Sequence, residues 1–467
     1  MPCSPGGANG VGGFLLKGTI VGPSGPFEGE VLVQGDTIQC AAKSCASSPG
    51  VASAVVVDTK GIILPGLIDT HNHILFDTFD ETDWSPPKTY TNHNQWPSDA
   101  RYGAMVDAKQ YMNGELSTLD LGCEMNKYGE LKGVIAGTTS IAGAANPANQ
   151  VCFSSLARTV DQTPNGLGED KVQAATLFPT APKGDAICAG LKSGATESFL
   201  VHVAEGVDAS SKDELAKLGT VTTTDGCLYT PQTVIIHGTA LGEPEMTLMA
   251  DKGMSLVWSP QSNVFLYGEG TDLTKTTNIP LALEKGINVS LAPDWSIGGS
   301  QNILDELRFP KRVGDDIWNG ALSAEELFEM VTINPATALG LGDVLGSIEP
   351  GKKADLLVIS GNRAAPYDAL LAATPKEVRL TMVGGVVLYG DSTLQALGAA
   401  SPGCEKIDVC GAKKFVCVAT ENGSEANKLG QTLAEIRTAL EDGIKGYDDL
   451  NLTQWNFAPI APLVKCN

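Results

Sequence analysis

The sequence predicts an α/β protein: a (β/α)8 barrel with a small β-sandwich domain that both ends of the chain build together. Three observations predict it. Short apolar runs alternate with amphipathic helical stretches from about Ile68 to about Leu345, and the segments on either side of that region are β-rich. The chain's 467 residues accommodate a barrel of about 250 residues plus a satellite domain.

Taken in order, residues 14–64 contain FLLKGTIV, GEVLVQGDTIQCA and ASAVVVDTKGIILPG, β-rich runs separated by Gly and Pro turns, and form the N-terminal part of the predicted sandwich. Residues 65–345 form the predicted barrel. Its helical stretches include SKDELAKLG, EPEMTLMADKG, LALEKG and SAEELFEMVT, each followed by a new β-rich run. Residues 346–400, with KKADLLVISG and VRLTMVGGVVLYGD, return to β character and are expected to complete the sandwich. Residues 401–467 are a Cys-bearing C-terminal extension with one expected helix, EANKLGQTLAEIRTALEDGI. There is no internal repeat and no low-complexity linker.

Composition narrows the function classes. Hydrophobic residues make up 42% and charged residues 18%, and no apolar run approaches the roughly 20 residues that span a bilayer, so no transmembrane segment is expected. The formal charge of -22, from 54 acidic against 32 basic residues, argues against nucleic acid or an anionic membrane, which Lys and Arg clusters bind. The expected partner is a small-molecule substrate, with a homo-oligomer left open.

Eleven cysteines, with Cys40 close to Cys45 and a group at Cys404, Cys410, Cys417 and Cys466, have no CxxC spacing. They read as disulfides in an oxidising compartment, of undetermined connectivity and with one thiol left over; scattered buried thiols in a cytoplasmic protein are the alternative. The opening MPCSPGGANGVGG has neither a basic n-region nor an apolar h-region. An extracytoplasmic location after signal removal is expected, periplasmic, secreted or lipid-anchored, with Cys3 the candidate anchoring cysteine.

The chemistry concentrates at strand ends. In PGLIDTHNH, His71 and His73 are two apart, so on a strand both imidazoles project to one side. His202 in SFLVHVAEG and His237 in TVIIHGTAL also end β-runs, as does Asp294 in INVSLAPDWS; four of the five histidines thus share one context. The carboxyl ends of parallel barrel strands converge on one face, so His71, His73, His202 and Asp294 can form an N3O shell around one divalent metal ion, Zn2+ first, Fe2+ or Mn2+ as alternatives.

The order HxH, HVAEG, HG and a late-strand Asp resembles the amidohydrolase superfamily, in its mononuclear deaminase and chlorohydrolase branch. SPQSNVFLYG, DWSIGGSQNILDELR and TINPATALGLGDVLGSIEPGKKADLLVI are similar to that branch's later segments, and the resemblance spans roughly residues 14 to 395. It implies that His71, His73, His202 and Asp294 bind the metal, that Glu205 shuttles protons, and that His237 orients the attacking water. The residues alone leave Glu205 open as a solvated loop carboxylate and His237 as a core histidine.

Where the branch often has a polar residue or histidine, this chain has Trp258, and Trp295 follows Asp294. With Trp84, Tyr90, His93 and Trp96 in the segment after the first barrel strand, an aromatic mouth for a flat or apolar substrate is expected. His93, Trp96, Trp258, Ser262, Asn263 and Trp295 are the candidate substrate contacts, although His93 also reads as a surface loop histidine and Ser262 and Asn263 as loop-holding residues. Other branches of that superfamily bridge two metals with a carboxylated lysine or a glutamate on the fourth strand; by that resemblance Lys171, at the start of its run rather than the end, is the nearest candidate.

The expected activity is hydrolysis of a C–N bond by metal-activated water, either amide opening or deamination of a heterocycle. An esterase, deacetylase or dehalogenase on the same scaffold, a binuclear cyclic amidase, and a non-catalytic binding protein are the rivals.

Overall fold

A computed structural model describes residues 12–143, 152–163, 165–168, 170–398, 403–420 and 428–466. Cys3, the candidate anchoring residue, lies outside them. The strands are β1 (Phe14–Gly22), β2 (Gly25–Gln34), β3 (Thr37–Ala42), β4 (Val55–Pro65), β5 (Leu67–Asp69), β6 (Thr138–Ile141), β7 (Arg158–Thr159), β8 (Val172–Ala175) and β9 (Ser198–Val203). They continue as β10 (Thr233–His237), β11 (Ser255–Trp258), β12 (Val289–Leu291), β13 (Leu356–Ile359), β14 (Val378–Val383), β15 (Val386–Asp391), β16 (Gly403–Val409) and β17 (Ala412–Ala419).

Strands β5 to β12 are parallel to their neighbours and lie in chain order, as the arcs β5-β6-β7 and β8-β9-β10-β11-β12. Helices separate most of them, among them Glu243–Asp251 between β10 and β11 and Ile279–Glu284 between β11 and β12. Residues such as Phe199, Val201, Val234, Ile236, Leu256 and Val257 are buried, because a parallel strand covered on both faces has no solvent side for polar residues. The architecture is TIM-barrel-like. The arcs meet at one end through the isolated parallel bridge Asn72–Asp294, while no pairing joins β7 to β8 among the described residues.

The satellite domain differs from the expected sandwich. Hydrogen bonds link its strands into one nine-stranded sheet, in the order β16-β17-β15-β14-β13-β4-β1-β2-β3. The two ends of the chain meet at β4 and β13, antiparallel, with Leu64 opposite Leu357. Leu16, Ile20, Val31, Ile63, Leu356, Val358 and Phe415 form a core on one face, and the buried Arg158–Asp355 ion pair (2.8 Å) ties β7 to the residue just before β13.

The extension adds β16 and β17 to this sheet, then a helix, Leu433–Asp449, begun by reciprocal hydrogen bonds between Thr432 and Glu435. Leu433, Ile436, Leu440, Ile444 and Tyr447 recur at helical spacing and are buried where the helix packs on helices Ala100–Met112 and Gly122–Val134. The expected helix, which began at Glu425, starts too early: residues 428–432 form a turn and the cap that precede the helix, and 425–427 lie outside the described residues. Among the described residues five disulfides are formed: Cys40–Cys45, Cys123–Cys152, Cys188–Cys227, Cys404–Cys417 and Cys410–Cys466. Among the described residues no helix is long and apolar enough to cross a membrane.

Candidate active site

Strand ends bring His71, His73, His202, His237, Glu205 and Asp294 together from four separate stretches of chain. His71 and His73 follow β5, His202 lies in β9 with Glu205 just beyond it, His237 ends β10, and Asp294 follows β12. The His71 ring centroid lies 4.8 Å from that of His73, 4.6 Å from His202 and 5.6 Å from His237. Asp294 Oδ1 is 2.9 Å from His71 Nε2 and 3.4 Å from His73 Nε2. The backbone closes the same circle, since His73 N–H donates to the Asp294 carbonyl (2.7 Å) and Asp294 N–H to that of His71 (3.1 Å).

His237 and Asp294 both have φ of 69°, in the left-handed region that non-glycine residues rarely occupy. Such backbone persists where surrounding contacts over-determine it, and it aims both side chains inward. The supports are visible. Ser262 Oγ donates to Asp294 Oδ2 (2.5 Å), the Asn263 amide meets His237 Nδ1 (3.2 Å), and Thr277 Oγ1 donates to the His237 carbonyl (2.6 Å). His202 Nδ1 donates to the Ala175 carbonyl (3.1 Å), which leaves Nε2 for the centre.

The centre suits a cation. Burial holds His71 and His73 down at about 3 and His202 at about 4, and pushes His237 well below its ordinary value, so these imidazoles are neutral donors. Burial raises Asp294. His71 Nε2 and Asp294 Oδ1 are buried without a hydrogen-bond partner, though they face each other. Two ligands of one ion, each about 2.0–2.2 Å from it, stand about 3 Å apart, which is the separation seen here. The donors of His71, His73 and His202 form one compact group, and those of His71, His237 and Asp294 another.

A cavity of about 1030 Å3 opens onto this centre, lined by Phe76, Trp96, Tyr102, Phe178 and Trp295 alongside His73, His202, Glu205, His237 and Asp294. Trp96 and Trp295 therefore stand where the sequence placed them, at the mouth. Trp258 does not. Its indole is buried, donates to Thr276 Oγ1 (2.7 Å) and lies against Trp318, because this strand-end side chain turns into the packing behind the strand. Ser262 and Asn263 hold Asp294 and His237 and are absent from the cavity wall. Trp84 and Tyr90 are buried, Trp84 behind Trp96 and Tyr102.

His93 reaches the wall but spends both ring nitrogens on carboxylates, those of Glu205 (3.2 Å) and Glu214 (2.8 Å). Lys171 precedes β8, at the end remote from the centre, and pairs with Glu197 (2.7 Å); the opposite end of β8 offers Ala174 and Ala175. Sequence reasoning missed Tyr267 and Glu214. Tyr267 donates to Glu205 Oε1 (3.1 Å), and its place four residues after Asn263 on one helix was the available signal; Glu214 had none.

Comparison with known proteins agrees with this geometry. The amidohydrolase family model matches residues 187–388. The 5'-deoxyadenosine deaminase of Methanothermobacter thermautotrophicus is 25% identical over 440 residues, covering 82% of this chain and 95% of the relative. A 5-methylthioadenosine/S-adenosylhomocysteine deaminase of Symbiobacterium thermophilum is 26% identical over 430 residues, 81% of this chain and 93% of that one. Among solved structures, a mutant of the atrazine chlorohydrolase TrzN from Arthrobacter aurescens TC1, complexed with zinc and atraton, superimposes with a TM-score of 0.61 at 18% identity, covering 80% of this chain and 95% of that one.

Residues 187–388 thus match the amidohydrolase family, and the chain as a whole is similar to the mononuclear deaminase branch of that superfamily.

Proposed function

We propose that this metal-dependent hydrolase of carbon–nitrogen bonds is a deaminase of adenine nucleosides modified at the 5' position. One observation carries the reading: Glu205 stands beside the histidine and aspartate centre at the inner end of an aromatic-walled cavity, with its Oε2 3.9 Å from His237 Nε2. The names of the relatives, which are deaminases of 5'-deoxyadenosine and of 5-methylthioadenosine/S-adenosylhomocysteine, support the substrate class. The two arcs of parallel strands work as one (β/α)8 barrel, with no pairing between β7 and β8 among the described residues.

His71, His73, His202 and Asp294 would hold one divalent ion, and the N3O donor set favours Zn2+, with Fe2+ or Mn2+ as alternatives. When bound, such an ion supplies acidification of a water molecule toward about pH 7. The protein's residues do the rest. Trp96, Tyr102 and Trp295 hold the flat ring and exclude bulk water. Glu205 accepts a proton from the attacking water and passes it to the heterocycle nitrogen beside the reacting carbon. His237, with Nδ1 engaged by Asn263, presents its Nε2–H to the incoming oxygen. Oxygen adds at carbon, Glu205 carries the second proton from that oxygen to the exocyclic amine, the amine leaves as ammonia, and the ring becomes an oxo-purine. The placement of Lys171 and the Ala174–Ala175 end of β8 favour one ion over two.

Five disulfides favour an oxidising, extracytoplasmic location. The test is incubation of the zinc-loaded chain with 5'-deoxyadenosine, 5'-methylthioadenosine, guanine and an aryl ester. Ammonia released in step with the purine's ultraviolet shift is expected from the two nucleosides. Glu205→Gln should lower that rate by about 10²–10⁴-fold with its ion retained. Acid release from the ester without ammonia from any amine would overturn the reading.

A further inference from the structure

His93 lies in the long segment between β5 and helix Ala100–Met112, more than a hundred residues before the two carboxylates it meets. Its Nδ1 is 3.2 Å from Glu205 Oε2 and its Nε2 is 2.8 Å from Glu214 Oε1. A neutral imidazole has one N–H and one lone pair, so one of these contacts would oppose two lone pairs. With both carboxylates ionised, only the doubly protonated ring satisfies both. The backbone holds it there: His93 N–H donates to the Glu205 carbonyl (3.1 Å), Val207 N–H to that of Thr91 (2.7 Å), and Asn92 and Gly206 form an antiparallel bridge.

Glu214 is fixed in turn, because its Oε2 accepts the Ala204 N–H (2.8 Å). Tyr267 covers the other Glu205 oxygen, so each oxygen of that carboxylate has one donor. Burial opposes a charge on His93, and the carboxylates of Glu205 and Glu214 outweigh it, raising it to about 10. A cation shared by two carboxylates draws less on either than an exclusive ion pair would.

We propose that His93 is a positioning residue, held as an imidazolium between Glu205 and Glu214, which fixes the orientation of Glu205 while Glu214 keeps that carboxylate available as a base. This rests on Glu205 being the proton carrier. It replaces the expectation that His93 touches substrate, since neither ring nitrogen is left to do so.

The test uses the full zinc-loaded chain with 5'-deoxyadenosine as probe, and the variants His93→Gln, His93→Ala and Glu214→Gln. Each should keep its ion and lose about 10–100-fold in kcat, the range for residues that orient a metal site's working groups, with KM little changed. Added imidazole should restore part of the lost kcat in His93→Ala. A rise in KM at constant kcat, or an unchanged kcat in every variant that retains ion and fold, would overturn the proposal.

A second measurement holds even if the wild type turns over no nucleoside, in which case the function proposed above fails by itself. With only five histidines, nitrogen-15 spectra assigned by comparison with His93→Gln report the ring directly. At about pH 8, above the ordinary histidine value of about 6.5, both ring nitrogens of His93 should carry protons. A neutral ring there would overturn the proposal.

Discussion

The barrel mouth and the C-terminal extension are held in place by different forces. At the mouth, Ser262 fixes Asp294, Asn263 fixes His237, the Ala175 carbonyl fixes His202, and His93 and Tyr267 fix Glu205. Every link is a directional hydrogen bond that sets an angle. The extension relies on the apolar stripe of helix Leu433–Asp449 and on two covalent staples, Cys404–Cys417 and Cys410–Cys466. Its last residues meet the segment after β5 through a hydrogen bond, a ring contact and an ion pair, none of them to a residue of the centre: Ala461 N–H donates to the Thr78 carbonyl (2.9 Å), Phe457 lies on Phe79, and Lys465 pairs with Asp80 (3.1 Å). Directional bonds set geometry, whereas apolar burial and crosslinks set stability, so mutations in the two regions should separate activity from melting temperature.

The largest effect is expected from Asp294→Ala, which should abolish both ion retention and ammonia release; elemental analysis beside the deaminase assay checks it, and a retained ion would break the comparison at its strongest point. Next comes Ser262→Ala. It leaves every ligand in place, yet should weaken ion affinity about 10–100-fold, read by competition with a chelator, because Asp294 loses the bond that orients it. At the other region, Cys466→Ser should cost about 2–4 kcal/mol of stability through the unfolded chain's regained freedom, seen as a lower denaturation midpoint, while kcat at low temperature stays near that of the wild type. A kcat loss as large as that of Ser262→Ala would mean that the extension sets site geometry after all.

The smallest effect is one of pH. Folding raises His93 from about 6.5 to about 10, so between those values the folded chain binds more protons than the unfolded one. The stabilisation this group contributes is complete below about pH 6.5 and is lost as pH rises through about 10. Glu205, Glu214 and His237 are the titratable groups around it. The difference in melting temperature between wild type and His93→Gln should therefore shrink as pH rises across that window.

The histidines and Asp294 were legible because chemistry at a barrel mouth demands particular residue types at strand ends, and apolar runs mark strand ends in one dimension. Partners were less legible. His93 meets Glu205 and Glu214 through a loop whose path no periodicity encodes, and disulfide pairing depends on distances between segments such as Cys188 and Cys227. Trp258 was placed at the mouth on its strand-end position, but an indole there also fits the packing behind the strand when Thr276 offers an acceptor. The sandwich became one sheet because strand alternation gives a buried face without saying which edges pair. The β-character of β16 and β17 went unread, although KIDV alternates as a strand does and FVCVA is a short continuous apolar run of the kind a strand paired on both sides carries.

The pairing of β4 with β13 has a consequence for the order of events on the ribosome. β4 emerges early with a bare edge, and the strand that covers it is made only after the whole barrel. Until then Ile62, Ile63 and Leu64 offer a hydrophobic edge to any passing strand. A chain stopped anywhere before Leu356 keeps that edge permanently, so truncation products that carry every metal-site residue should still be sticky, aggregation-prone species.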